Sequence, residues 1–172
     1  GSATNQIVAE AADSVIAPGD PGQSNLGINP SIGTLTLDSV TAANGLTMDF
    51  KLNGEGIKPG VNNDVLQVGD MSLTGTVTIN LTGLDPLLTG AGNDYQLIAG
   101  TASWTGTPNF KINAPTGYEL DSTYGTDGYI YDDRGLSLTI QLVATPEPST
   151  YGLIGLGLLA LVGICRFRRL SV

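Results

Sequence analysis

The chain has 172 residues, with sixteen acids against seven bases for a net charge of −9, no histidine and one cysteine. Its length suits one domain of ordinary size rather than two. The acidic balance excludes binding nucleic acid by charge. The lack of histidine excludes Ser-His-Asp and Cys-His catalysis, and a lone cysteine excludes a disulfide within the chain.

Residues 1–31 are rich in Ala, Gly, Pro, Asn and Ser, and Pro18-Gly19-Asp20-Pro21-Gly22 reads as turns. The two apolar patches here, Gln6 to Ala9 and Ser14 to Ala17, are read as edge strands or as an arm that adds to a neighbouring copy's sheet. No basic-plus-apolar leader precedes them, so an exported chain of this kind is expected to have lost a signal peptide.

From residue 32 the hydropathy alternates with a period of two. Thr34 to Val40 and Leu46 to Leu52 read as strands, and Asn44-Gly45 between them reads as a hairpin turn. Asp64 to Val68 is a short strand. Met71 to Leu81 is the clearest strand of all, with Leu73, Gly75, Val77, Ile79 and Leu81 on one face. Its other face is threonine and asparagine, suited to a half-solvated sheet. Tyr95 to Ile98, Thr101 to Thr105, Asn109 to Ile112, Tyr129 to Tyr131 and Leu136 to Leu142 follow. Short strands with turns every 8–12 residues and no amphipathic helix predict an all-β ectodomain over 32–144, a β-sandwich or jelly roll. No fixed-period repeat stands out, which makes a solenoid the weaker expectation.

The stretch Tyr118 to Asp133 concentrates four tyrosines and five acids in sixteen residues. Tyr118, Tyr124, Tyr129 and Tyr131 offer flat rings with hydrogen-bonding tips, suited to sugars. Asp121, Asp127, Asp132 and Asp133 offer carboxylates in Gly-rich loops, suited to Ca²⁺. The competing reading is structural, since tyrosine is common in strands and acids are common in loops.

The last 28 residues are of a different character. Pro146-Glu147-Pro148 fixes a stiff, extended marker. Tyr151 to Cys165 then runs fifteen residues without a charge, eight of them Leu, Ile or Val. As a helix it would be about 22 Å long, against a hydrocarbon core near 30 Å, so it is a short candidate for a single transmembrane helix. Arg166, Arg168 and Arg169 close it as a basic stop that stays cytoplasmic, which places residues 1–145 across the membrane. Those residues carry a net charge of −11.

The marker, the Gly/Leu-rich apolar run and the arginines, in that order, make residues 145–172 resemble a PEP-CTERM sorting signal. The resemblance implies recognition by an exosortase, a membrane enzyme of Gram-negative bacteria that make exopolysaccharide. It also implies a precursor tethered to the inner membrane with its ectodomain in the periplasm, cut near Pro146–Pro148, and then a place at the cell surface or in the extracellular matrix. Together these features lead us to expect a non-enzymatic surface or matrix protein without a cofactor. Two other roles fit the same sequence: a carbohydrate- or Ca²⁺-binding module of the exopolysaccharide matrix, and a self-assembling filament subunit.

Overall fold

A computed structural model describes residues 6–9, 14–19, 32–43, 45–54, 56–83 and 86–145. The described residues form thirteen strands and no helix. Strands β1 (Gln6–Ala9), β3 (Thr34–Ala42), β5 (Val65–Leu73), β7 (Tyr95–Gly100) and β8 (Trp104–Thr105) belong to one sheet. Strands β2 (Val15–Ile16), β4 (Leu46–Leu52), β6 (Thr76–Gly83) and β9 (Asn109–Asn113) form a second.

Within these strands every neighbour pairs in parallel, and the chain alternates between the two sheets, with β7 and β8 both pairing on β5 within one coil. The described residues therefore wind as a two-sided solenoid of four coils, each contributing to both sheets. Thr34 lies beside Val65, Leu66 beside Ile98, Leu46 beside Val77 and Thr76 beside Asn109, so one coil takes 31 to 33 residues. The all-β expectation holds among the described residues. The jelly-roll expectation does not, because that arrangement needs antiparallel neighbours. The two short N-terminal segments are edge strands of this chain's own sheets, paired with β3 and β4.

Inward side chains stack in ladders along the coil axis. Leu46, Val77 and Phe110 form one, Met48, Ile79 and Ile112 another, and Leu35, Leu66 and Ile98 a third. Met48, Ile79, Val77, Leu66 and Ile98 have no measurable exposure. Each such side chain contributes roughly 1.5–3 kcal/mol by leaving water. On the outer face of the second sheet the same register stacks Asp49, Asn80 and Asn113. Asn80 donates to the Asp49 carboxylate at 2.8 Å, and Asn113 donates to the side-chain amide oxygen of Asn80 at 2.8 Å.

The corners between sheets explain two departures from the sequence reading. Asn44-Gly45 does not close a hairpin, since β3 and β4 lie in different sheets. The long strand expected over Met71 to Leu81 is two strands, β5 and β6, with the corner at Thr74-Gly75. Inside a coil is inside on both sheets, so the alternation of Leu73 and Val77 passes through the bend unbroken. Equivalent corners carry Gly45, Gly75 and Gly106 at φ of 103°, 74° and 92°, a region that side chains with a Cβ rarely enter.

The C-terminal end is closed differently. Strands β11 (Tyr129–Asp132) and β12 (Ser137–Ile140) extend the first sheet as an antiparallel hairpin on β7. Strands β10 (Tyr118–Leu120) and β13 (Leu142–Ala144) form a separate antiparallel pair. The single strand expected over Leu136 to Leu142 breaks at Gln141, which is buried and whose side-chain amide donates to Asp94. A rim of this kind protects the end of a repeat stack from adding further chains.

The corner geometry makes a graded prediction. A Cβ on Gly106 would lie 2.0 Å from the Leu73 carbonyl oxygen, whereas one on Gly92, at φ of 87°, meets nothing within 4 Å. Gly106→Ala is expected to lower stability by about 3 kcal/mol or more, and Gly92→Ala by about 1 kcal/mol from backbone strain alone. Urea unfolding of the two variants checks the difference.

Candidate functional site

The Tyr118 to Asp133 stretch folds as β10, a tight loop and β11, and its tyrosines are tied into the body. The Tyr118 hydroxyl accepts the Leu87 backbone N–H at 2.8 Å. The Tyr124 hydroxyl pairs with the Thr139 hydroxyl at 2.9 Å, and burial raises the Tyr124 pKa. Tyr131 stacks on Trp104 with ring centroids 5.6 Å apart, and Phe110 packs against both Tyr129 and Tyr131. These aromatic rings cap the last coil. The Tyr131 hydroxyl oxygen and the Trp104 indole nitrogen are buried without a hydrogen-bond partner. Gly125, Thr126, Tyr129, Ile130 and Tyr131 line a shallow cleft of about 300 Å³ on the outside of this cap.

The acids do not gather. Asp121 accepts the hydroxyl of Thr123 at 2.6 Å and its backbone N–H at 2.9 Å, and these bonds hold its carboxyl below the usual range. Asp132 is lowered by the backbone N–H groups of Gly135 and Arg134, the latter at 3.0 Å. Asp127 sits in the turn at φ of 54°, and Asp133 is exposed. Among the described residues no three acidic, histidine or cysteine side chains are grouped to hold a metal ion.

Among the described residues the deepest polar site escaped the sequence reading. Asp64 and Asn63 have no measurable exposure. The Asp64 carboxylate accepts the N–H of Gly33, just before β3, at 2.8 Å and that of Lys51, in β4, at 2.8 Å. Asn63 donates to the Asp64 and Gln96 carbonyls at 2.9 and 2.7 Å. Burial raises the Asp64 pKa above its ordinary 3.8, against the lowering effect of these N–H groups and of the Lys51 charge. The only signal in the sequence was an Asn-Asp pair at the foot of a strand, which also reads as an ordinary turn.

The remaining site is the exit from the fold. In the β10–β13 pair, Leu120 lies beside Leu142, Glu119 beside Val143 and Tyr118 beside Ala144. The Thr145 N–H then donates to the Gly117 carbonyl at 3.0 Å. Beside this exit lies a groove of about 530 Å³, lined by Leu81, Thr82, Gly83, Pro86, Pro115, Thr116 and Tyr118. The sorting residues Pro146, Glu147 and Pro148, the run 151–165 and Arg166, Arg168 and Arg169 lie outside the described residues. No described helix is long and apolar enough to cross a membrane.

Residues 144–169 match the family described as the PEP-CTERM protein-sorting motif. The chain carries a PEP-CTERM sorting motif. It is thus an exported protein, made as a membrane-anchored precursor and processed by an exosortase for the surface. The match begins at Ala144, the last residue of β13, so the PEP-CTERM motif starts inside the folded domain. No curated protein and no solved structure matches the chain.

The Asp64 site yields a prediction with two readouts. In Asp64→Asn the amide NH₂ faces a backbone N–H, so stability at neutral pH should fall by about 1–3 kcal/mol. A raised folded pKa means that the Asp64 contribution is fully present below the ordinary 3.8 and is lost as pH rises through the folded value. Urea midpoints measured from pH 3 to pH 7 should therefore lose that component of their slope in the variant, and a slope identical to wild type would contradict the assignment.

Proposed function

We propose that this PEP-CTERM protein is a non-enzymatic structural component of the cell surface or extracellular matrix, held in the polysaccharide of an exopolysaccharide-producing bacterium. The observation that carries the reading is the direct joining of a stacked-coil body to a sorting motif. The body is built from repeated ladders, and its outer sheet face is threonine, asparagine, aspartate and lysine in register. A rigid, polar, disulfide-free unit of this kind suits a matrix. Asp64, a fully buried carboxylate among the described residues, is engaged by two backbone N–H groups of the preceding coil, a structural use of an ionisable group.

Binding of matrix carbohydrate is a second reading, and the cleft at Tyr129, Ile130 and Tyr131 favours it. Ile130 is 41% exposed there, and the cleft presents hydroxyls beside apolar surface. The rings of Tyr129 and Tyr131 are partly spent on Phe110 and Trp104, so such a site would engage sugars through ring edges rather than open faces.

Incubating the exported domain with the host's exopolysaccharide separates these readings. The structural reading expects no shortening of the polymer and less than a twofold change in retention on Tyr129→Ala. A loss of retention of tenfold or more in that variant would favour the carbohydrate module. Shortening that disappears with one carboxylate substitution would overturn both.

A further inference from the structure

The 530 Å³ groove bounded by Tyr118 has a neighbour. A second cavity, of about 280 Å³, is lined in part by Asp49, Lys51 and Thr82, and Thr82 also lines the first. Thr82 is exposed on the outer face of β6, with Lys51 beside it in β4. Two residues before Thr82, Asn80 lies beside Asn113 of β9, and Pro115 follows two residues after Asn113. The two cavities thus meet at Thr82 and together cross the ends of β4, β6 and β9. They form one groove along the coil axis, where neighbouring strands are about 4.8 Å apart.

The walls of the larger part are fixed by the fold. Tyr118 ties them together: its hydroxyl accepts the Leu87 N–H at 2.8 Å, and its own N–H donates to the Pro115 carbonyl at 3.0 Å. Leu87 is buried. Pro86, before it, sits tight on the preceding coil, where a Cβ on Gly54 would lie 1.5 Å from the Pro86 carbonyl oxygen. Walls that are already ordered spare a ligand that cost.

The lining indicates what fits. Although residues 1–145 carry a net charge of −11, no charged residue lines the larger part. The exposed hydroxyls of Thr82 and Thr116 stand there among Pro86, Pro115 and the Tyr118 ring. A sugar ring has the same mixture, with hydroxyls at its edge and C–H groups on its faces. A groove that crosses several coils suits a linear polymer better than a compact molecule.

We propose that this groove binds one strand of a linear polysaccharide along the coil axis, away from the cleft at Tyr129 to Tyr131. The proposal rests on the reading of the protein as held in matrix polysaccharide, and it supplies the contact that holds it. Thr82, at the meeting point, bonds to sugar hydroxyls; Pro86, Pro115 and the Tyr118 ring meet the C–H faces. Lys51 adds an ammonium donor at the far end. A single sugar ring fills only part of the groove, so affinity rises with chain length until the groove is filled.

Calorimetric titration of the mature protein with fragments of the host's exopolysaccharide, graded by length, tests this. Native protein should bind long fragments at least tenfold more tightly than single-ring sugars. Thr82→Tyr fills the meeting point from an exposed strand position that suits aromatic residues, and should weaken long-fragment binding at least tenfold. Thr82→Val keeps the shape without the hydroxyl and should weaken it at least threefold; it decides the matter if Thr82→Tyr does not fold by urea unfolding. Tyr129→Ala should stay within twofold of native. No binding of any fragment, equal affinity at all lengths, native-like binding by folded Thr82 variants, or loss in Tyr129→Ala alone would each overturn the groove. Sedimentation in which Thr82→Tyr separates a native dimer, with fragment binding unchanged, would overturn it in favour of a second copy on this face. Failure of the intact polymer to retain native protein would overturn the matrix reading itself, a result distinct from all of these.

Discussion

Parallel register between successive coils is the constraint on which the rest of this structure depends. From β3 to β9 each strand pairs with a strand one coil earlier at a separation of 31 to 33 residues, and the stacked body follows from keeping that alignment. A slip by one residue would turn Met48, Ile79 and Ile112 outward and bring Asp49, Asn80 and Asn113 into the core. The side-chain ladders are thus both the product of the register and its guard. Apolar ladders gain by leaving water together, while the Asp49–Asn80–Asn113 ladder satisfies its own amides across coils. Asp64 serves the same purpose inside, tying the N–H of Gly33 before β3 and that of Lys51 in β4 to one carboxylate.

Such a stack has two ends, and its treatment of them connects fold to function. Among the described residues the first coil is thin, with β1 and β2 each pairing on one side only. At the other end the chain abandons parallel winding. It folds the β11–β12 hairpin over the last coil and seals it with Trp104, Phe110, Tyr129 and Tyr131. The final strand, β13, pairs with β10 in a separate ribbon, and the PEP-CTERM motif begins there. The sorting signal is therefore joined to the cap without a linker. That coupling makes delivery of the domain and completion of its fold adjacent events in the chain.

Much of this was legible in the residues, and the failures are instructive. The period-two pattern located β3, β4, β9 and β11 nearly to the residue, and Pro146–Pro148 with the apolar run and the arginines identified the tail. The pattern misled at the corners. In a solenoid the interior lies on the same side before and after a bend, so Leu73 and Val77 alternate as if in one strand and Thr74-Gly75 leaves no mark. The same bend made Asn44-Gly45 look like a hairpin. The repeat stayed hidden because coil length varies by two residues and because the ladders conserve chemical class rather than identity: Leu46 stacks on Val77 and Phe110, Asp49 on Asn80 and Asn113. The tyrosines and acids of 118–133 were conspicuous by composition, yet most are spent on the rim. Asp64 was inconspicuous, because only the meeting of Gly33 and Lys51 around it gives it meaning.

The account stands on parallel winding, and cross-strand contacts measured by NMR in the exported domain test that most directly. Parallel stacking predicts amide and side-chain contacts that link Asp49 to Asn80 and Asn80 to Asn113, with none between Thr41 and Thr47. Antiparallel contacts between those two threonines, with the Asp49–Asn80–Asn113 series missing, would contradict it.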